Sequence, residues 1–122
     1  MTATYIIYHN PRCSKSRQTL ALLEEHNIKP TIVEYLNDPP YNATLARLLG
    51  LLGLEPRGLM RTKEEEYKAA GLDDDSKSDA ELIAGMVANP KVIERPIVVK
   101  HGSDGEQAVV GRPPENVLDL IS

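Results

Sequence analysis

The chain has 122 residues, of which 41% are hydrophobic and 26% are charged, and its formal net charge is −4. A chain of this length buries about two-thirds of its unfolded surface without disulfide bonds, so we expect a single domain over residues 1–122. The acidic balance disfavours nucleic-acid binding, which usually needs a basic face. The longest uncharged apolar stretch, Leu48–Leu54, is far shorter than the ~20 residues of a membrane helix, so the sequence predicts no membrane partner.

The start of the chain lacks the pattern of a secretory signal, since Met1–Tyr5 has no basic segment followed by a long apolar one. We therefore expect a cytoplasmic location, where the one cysteine stays a thiol. With no Trp and no Phe, the core must be built from aliphatic side chains.

The first third of the chain predicts a β-α-β unit. The β-prone run Tyr5–Tyr8 stops at His9-Asn10-Pro11, and apolar residues at helical spacing after Ser14 predict a helix that Asn27 ends. A second strand is predicted over Thr31–Leu36. The two strands should be parallel, with a right-handed crossover between them.

The middle of the chain is predicted to be helical. The first helix carries the apolar stripe Leu45–Leu52 after a cap at Asn42 or Thr44, and the second covers Glu64–Ala70 and ends at Gly71. In the third helix, Ser78 and Glu81 form a capping box. Its apolar face consists of Leu82, Ile83, Met86 and Val87.

The last third predicts a β-β-α arrangement. Ile97–Lys100 and Gln107–Val110 read as antiparallel strands joined by a short glycine-containing turn. Pro113-Pro114 predicts the start of a final helix with Val117, Leu118 and Ile121 facing inward. The whole order predicts an α/β fold of the thioredoxin-like α+β sandwich type, in which a mixed four-stranded sheet carries a helical insert between its second and third strands.

Cys13 lies where the first predicted strand meets the first predicted helix. Unpaired backbone N–H groups and the positive end of the helix dipole lower the pKa of a thiol at such a place. Arg12, Lys15 and Arg17 add positive charge that helix stability alone would disfavour. The hydroxyl groups of Ser14 and Ser16 can donate hydrogen bonds to the sulfur, and the sequence therefore predicts a reactive thiolate.

Two further interpretations concern this segment. A lone cysteine is most often a buried hydrophobic residue, although its neighbours here are mostly polar or charged. His9, when protonated, would add another positive charge near the thiolate, or it is simply a loop residue. Ser16 fills the second place of a Cys-x-x-Cys motif, so a redox cycle needs an outside thiol, and glutathione with glutaredoxin is the expected cytoplasmic source.

No cofactor and no metal site are expected. The acidic runs Glu64–Glu66 and Asp73–Asp75 are not spaced with His or Cys ligands, so we interpret them as solvated faces.

The segment His9–Arg17 followed by Thr19-Leu20 resembles the active-site segment of the glutaredoxin-coupled arsenate reductases, which share a thioredoxin-like fold with the Spx-type regulators. Three more segments agree in order and spacing, so that the resemblance covers nearly the whole chain: Leu59–Arg61 before an acidic run, Glu94–Val99, and Gly111–Leu118. One departure is Ser14-Lys15, where members of that family often have Gly-Thr directly after the cysteine.

The resemblance implies the roles of several residues. Cys13 would attack the oxyanion, and Arg61, Arg95 and Arg112 would hold it, for which planar guanidinium groups with paired donors are suited. Arg57 competes with Arg61 for this assignment. The resemblance also implies that the Arg95–Pro96 bond is cis, as in thioredoxin-like folds.

Three functions remain open from the sequence. The first is reduction of arsenate, or a similar small oxyanion, to arsenite by the Cys13 thiolate, with glutathione as co-substrate and glutaredoxin as partner. The second is a glutathione-dependent thiol reductase that uses no arsenate. The third is an Spx-like regulator that binds RNA polymerase, although Ser16 breaks the Cys-x-x-Cys redox switch of that type.

Overall fold

The computed structural model describes residues 3–121. Four strands and four α-helices follow each other in the order β1 Thr4–Tyr8, α1 Ser14–Glu25, β2 Thr31–Val33, α2 Asn42–Leu52, α3 Glu65–Ala69, α4 Asp79–Ala88, β3 Ile97–Gly102 and β4 Gly105–Val110. Three 3₁₀ helices, Pro56–Leu59, Pro90–Val92 and Pro114–Leu120, complete the described part of the chain. None of the described helices is long and apolar enough to cross a membrane.

The chain divides into two compact units, Met1–Asp38 with Arg95–Ser122 and the inserted segment Pro39–Glu94. The expectation of a single domain over the whole chain stays a prediction, because this division does not test it.

The first unit carries the four-stranded sheet, whose strand order is β2-β1-β3-β4. β1 and β2 are parallel, whereas β3 is antiparallel to both β1 and β4. The mixed sheet predicted from the sequence is confirmed.

The core of the first unit forms where α1 and the final 3₁₀ helix pack together. Its buried members come from both strands and helices: Ile7, Leu23, Val98, Val117 and Leu120. All five are aliphatic, as expected, but the sequence expectation of a purely aliphatic core is wrong, because Tyr8 and Tyr35 are also buried. This core packs the C-terminal part of α1 with β1, β3 and the final 3₁₀ helix.

The second unit consists of the inserted helices. α4 packs against α2 and against the 3₁₀ helices Pro56–Leu59 and Pro90–Val92. Ser78 and Glu81 form the predicted capping box at the start of α4, and Leu82 and Met86 are buried on its inner face. Ile83 and Val87, which were predicted on the same face, are half-buried.

Three sequence predictions about elements are wrong in detail. β2 ends at Val33 rather than at Leu36, because its pairing with β1 stops at Tyr8 and the N–H groups of Asn37 and Asp38 turn back to the carbonyl oxygen of Glu34. Neither Asn42 nor Thr44 caps α2, since Tyr41 is its N-cap residue.

The final helix is also different from the prediction, because it is a 3₁₀ helix. With three residues per turn, Pro114, Val117 and Leu120 fall on one buried face. Leu118, predicted to face inward on α-helical spacing, is 39% exposed. Ile121 follows the helix and is half-buried.

Candidate active site

Cys13 is the N-cap residue of α1, at the end of the loop that follows β1. Its N–H donates to the carbonyl oxygen of Asn10 at 3.0 Å, and its own carbonyl oxygen accepts from the N–H of Arg17 at 3.0 Å. The side chain is partly exposed and is not part of any disulfide. Cys13 is therefore not a hydrophobic residue sealed in the core.

Two of the three predicted arginines lie at the sulfur. Arg112 approaches Cys13 Sγ with Nη2 at 3.4 Å, and its Nε donates to the carbonyl oxygen of Arg95 at 2.8 Å. The Arg95 guanidinium donates a hydrogen bond to the same sulfur. Both arginines precede a cis proline, so the cis bond at Arg95–Pro96 is confirmed and a second one occurs at Arg112–Pro113.

The pKa of the Cys13 thiol is lowered, although several causes oppose each other. Partial burial raises the pKa, because it disfavours the charged form. Donors overcome this effect: the backbone N–H groups of Ser16 and Lys15 and the Arg95 guanidinium stabilise the thiolate, and the charge of Arg112 adds to them. The first turn of α1 contains no acidic residue whose negative charge would raise the pKa of the thiol. The donors at the start of α1 therefore lower the pKa of this thiol, in the direction predicted from the helix start.

The hydroxyl group of Ser16 has a different role from the one predicted. It accepts a hydrogen bond from the N–H of Asn10 at 3.0 Å and lies 2.6 Å from His9 Nδ1. The sulfur instead accepts a hydrogen bond from the backbone N–H of Ser16. Ser16, His9 and Asn10 are all buried. The three residues together fix the loop from which Cys13 projects.

His9 is disfavoured as an extra positive charge. Burial lowers its pKa, the charge of Glu34 partly raises it, and Arg17 lowers it again, so that the net pKa is below the ordinary value. The structure places His9 against Ser16, and any effect of His9 on the thiolate passes through that contact. Its assignment as a residue that tunes the thiolate stays a prediction.

Ser14 and Arg17 are exposed in the first turn of α1. The Arg17 guanidinium donates to the carbonyl oxygen of Pro11 at 2.9 Å, which ties α1 to the loop before it. The predicted influence of these two side chains on the thiolate stays a prediction.

Arg61 and its competitor Arg57 both belong to the second unit. Arg61 forms ion pairs with Glu64 and Glu94 at 3.2 and 3.3 Å. The Arg57 guanidinium instead donates to the backbone carbonyl oxygens of Leu72, at 3.2 and 3.3 Å, and Asp74, at 2.7 Å. Arg57 thus has a structural function, while the oxyanion role of Arg61 stays a prediction.

Two contributors were missed by the sequence analysis as site residues. One is the backbone N–H of Lys15, which acts on the sulfur regardless of its side chain. The other is Asn10, whose Oδ1 accepts from the N–H of Arg12 at 3.0 Å while its own N–H holds Ser16. The Asn-Pro dipeptide was a signal for such a turn, because an Asn side chain readily bonds the backbone two residues on.

No group of three or more His, Cys, Asp or Glu side chains among residues 3–121 is arranged to hold a metal ion.

Comparisons with known proteins show the family of this chain. A family model described as the ArsC family matches residues 8–120. The chain belongs to the ArsC family. An Escherichia coli (strain K12) relative, named uncharacterized protein YfgD, is 52% identical over 122 residues that cover 99% of each chain. A Haemophilus influenzae protein named arsenate reductase is 46% identical over 117 residues, which cover 95% of this chain and 97% of the relative.

A solved structure supports the same assignment. The protein described as arsenate reductase from Vibrio cholerae is 51% identical and has a TM-score of 0.91, with 99% of this chain and 100% of that chain covered. The thioredoxin-like ArsC fold predicted from the sequence is therefore confirmed.

Proposed function

We propose that the protein is an arsenate reductase in which the Cys13 thiolate attacks arsenate, with glutathione and glutaredoxin supplying the electrons. The observation that carries this proposal is the sulfur of Cys13 held by the guanidinium groups of Arg95 and Arg112 at the start of α1. The names of two related proteins, from Haemophilus influenzae and Vibrio cholerae, support arsenate as the substrate.

The first step forms a bond between Cys13 Sγ and arsenic. One arsenate oxygen leaves as water after taking up protons, and arsenic stays in the +5 state. Arg95 and Arg112 are suited to this step because a guanidinium group keeps its charge and offers parallel N–H donors to the oxygens of a tetrahedral anion. The resemblance adds Arg61 as a third donor.

The second step reduces arsenic. Glutathione thiolate attacks Cys13 Sγ, an S–S bond forms, and the S–As bond breaks with its electron pair remaining on arsenic, which leaves as arsenite in the +3 state. Glutaredoxin then transfers the glutathionyl group from Cys13 to its own thiol, and a second glutathione carries it away as glutathione disulfide. One arsenate thus consumes two glutathione molecules. A cytoplasmic location, where glutathione keeps thiols reduced, is part of the same proposal.

A coupled assay tests the proposal. Arsenate-dependent NADPH oxidation is measured in the presence of glutathione, glutaredoxin and glutathione reductase, and arsenite is quantified directly. We expect activity in the wild type and in the control variant Ser103→Ala, which changes an exposed turn, and none above background in Cys13→Ser. Equal activity of Cys13→Ser would falsify the role of the thiolate.

The same assay separates the alternative functions. Turnover of a glutathione mixed disulfide without any arsenate-dependent oxidation would identify a thiol reductase. If the protein catalysed neither reaction but bound RNA polymerase in a pull-down at physiological salt, it would be identified as a regulator.

A further inference from the structure

A cavity of about 350 Å³ lies beside the loop that ends at Cys13. Its wall is formed by His9, Asn10, Pro11 and Arg12 from the loop after β1, and by Glu34, Leu36 and Asn37 from the segment after β2. The volume falls in the range of about 300–1,000 Å³ that small-molecule sites occupy. The reaction proposed above assigns no residue to the binding of glutathione.

Two opposite charges line this cavity without pairing. Within residues 3–121, the Arg12 guanidinium and the Glu34 carboxylate make no ion pair and no side-chain hydrogen bond, with each other or with other groups. Both side chains are exposed. The charge of Glu34 acts on His9, which also lines this cavity, since it raises the pKa of that imidazole against the larger effect of burial.

A guanidinium and a carboxylate on one cavity complement a zwitterion that carries both an ammonium and a carboxylate. The free amino-acid end of glutathione, its γ-glutamyl group, has this chemistry. We propose that the cavity binds the γ-glutamyl end of glutathione, with the Glu34 carboxylate accepting from the ammonium group and the Arg12 guanidinium donating to the carboxylate. This inference rests on the proposed function, which requires glutathione at Cys13.

The position of the cavity suits the reaction. Arg12 is the chain neighbour of Cys13, so their Cα atoms are about 3.8 Å apart. The thiol of glutathione is on its central residue, so it reaches roughly 7 Å beyond the bound γ-glutamyl end. The amide side chain of Asn37, which also lines the cavity, offers a further donor and acceptor for the peptide groups of the ligand.

Single-turnover kinetics test this subsite without glutaredoxin. The protein is mixed with arsenate and with either glutathione or 2-mercaptoethanol, and mass spectrometry follows the mixed disulfide on Cys13. We expect Glu34→Gln to reduce the ratio of the rate constants for glutathione and 2-mercaptoethanol about tenfold, because the second thiol has no ammonium group to bind. Arg12→Gln, which removes the partner of the carboxylate, should reduce the ratio by a similar factor.

Glu24→Gln is the matched control, because it also neutralises an exposed carboxylate but lies on α1 and outside the cavity. This variant should keep the wild-type ratio. An unchanged ratio in both Glu34→Gln and Arg12→Gln would overturn the subsite and leave the proposed function standing. A wild type that forms no arsenate-dependent mixed disulfide would overturn both.

Discussion

At the scale of single residues, the chemistry of Cys13 depends on a competition between burial and donors. Partial burial alone would keep the sulfur protonated, which is the ordinary state of a thiol at neutral pH. The N–H groups of Ser16 and Lys15 come with the helix start, whereas Arg95 and Arg112 are brought from the other end of the chain. The lowered pKa of the Cys13 thiol therefore depends both on the local helix start and on two arginines that only the fold brings to it.

We expect Arg112→Gln to raise the pKa of the Cys13 thiol, because a positive charge 3.4 Å from the sulfur is removed. Only the thiolate reacts with iodoacetamide, so alkylation should become slower below the thiol pKa and stay unchanged at high pH, where both proteins are ionised. Loss of one donor to the substrate oxygens should also reduce kcat about 100-fold.

The pH dependence of the alkylation rate measures this change. Lys29→Gln is the control, since it removes one exposed positive charge from outside the site. An equal shift in the Lys29 variant would mean that the net charge of the protein, and not the Arg112 contact, lowers the thiol pKa.

Arg57 and Arg61 should respond differently to substitution by alanine. Arg57 serves the carbonyl oxygens of Leu72 and Asp74, so Arg57→Ala should lower the free energy of unfolding by about 1–3 kcal/mol and leave the activity of the folded protein intact. Arg61 forms partly exposed ion pairs, which contribute about 0–1 kcal/mol, but its loss should reduce kcat/KM about 100-fold if it holds the oxyanion. Urea unfolding and the arsenate assay on both variants give the comparison, and the opposite pattern would make Arg57 the oxyanion residue.

At the scale of elements, the sequence predicts where helices and strands occur better than how they end. The length of β2 depends on where its partner β1 stops, and this pairing cannot be seen in the run Thr31–Leu36 alone. In the final helix, Val117, Leu118 and Ile121 share a face at 3.6 residues per turn, whereas three residues per turn select Val117 with Leu120. Apolar periodicity does not separate these two helix types over seven residues.

The residues of the candidate site also differ in whether the local sequence predicts them. Its cysteine could be predicted from the helix start, and its arginines only from the resemblance, because Arg95 and Arg112 are distant from Cys13 in the chain. The contact of Ser16 with the sulfur through its N–H, and not its hydroxyl group, depends on backbone directions that residue types do not specify.

Gly111 sets the approach of the Arg112 segment to α1. A Cβ atom at Gly111 would lie 2.5 Å from Thr19 Oγ1 and 2.8 Å from Pro96 Cγ, and Thr19 is fully buried. We expect Gly111→Ala to lower the free energy of unfolding by about 1–3 kcal/mol through overpacking. Since the added methyl group pushes Arg112 away from the sulfur, the pKa of the Cys13 thiol should rise.

Chemical denaturation and the alkylation profile measure these two effects. Gly50→Ala is the control, because nothing lies within 4 Å of a Cβ atom at this place in α2 and alanine favours a helix by about 0.5–1 kcal/mol. If Gly111→Ala changed neither the free energy of unfolding nor the thiol pKa, the segment would have room to adjust.

At the scale of the whole molecule, the first unit is assembled from both ends of the chain. β1 pairs with β3, so that Ile6 lies opposite Val99, and the complete second unit is inserted between them. The cost of closing such a long loop grows only slowly with its length, which makes the insertion tolerable for the sheet. Once the sheet has formed, it nevertheless fixes the positions of both ends of the inserted segment.

We expect the protein to unfold in one transition, as a single domain does. The inserted segment Pro39–Glu94 is about as long as the smallest independent domains, which bury only about 60% of their unfolded surface and are marginally stable. Urea unfolding followed by circular dichroism should therefore coincide with the loss of amide protection in both β3 and α4. If α4 lost its protection at a lower urea concentration than β3, the two units would be separate domains. The insertion would then be able to unfold while the Cys13 site stays folded.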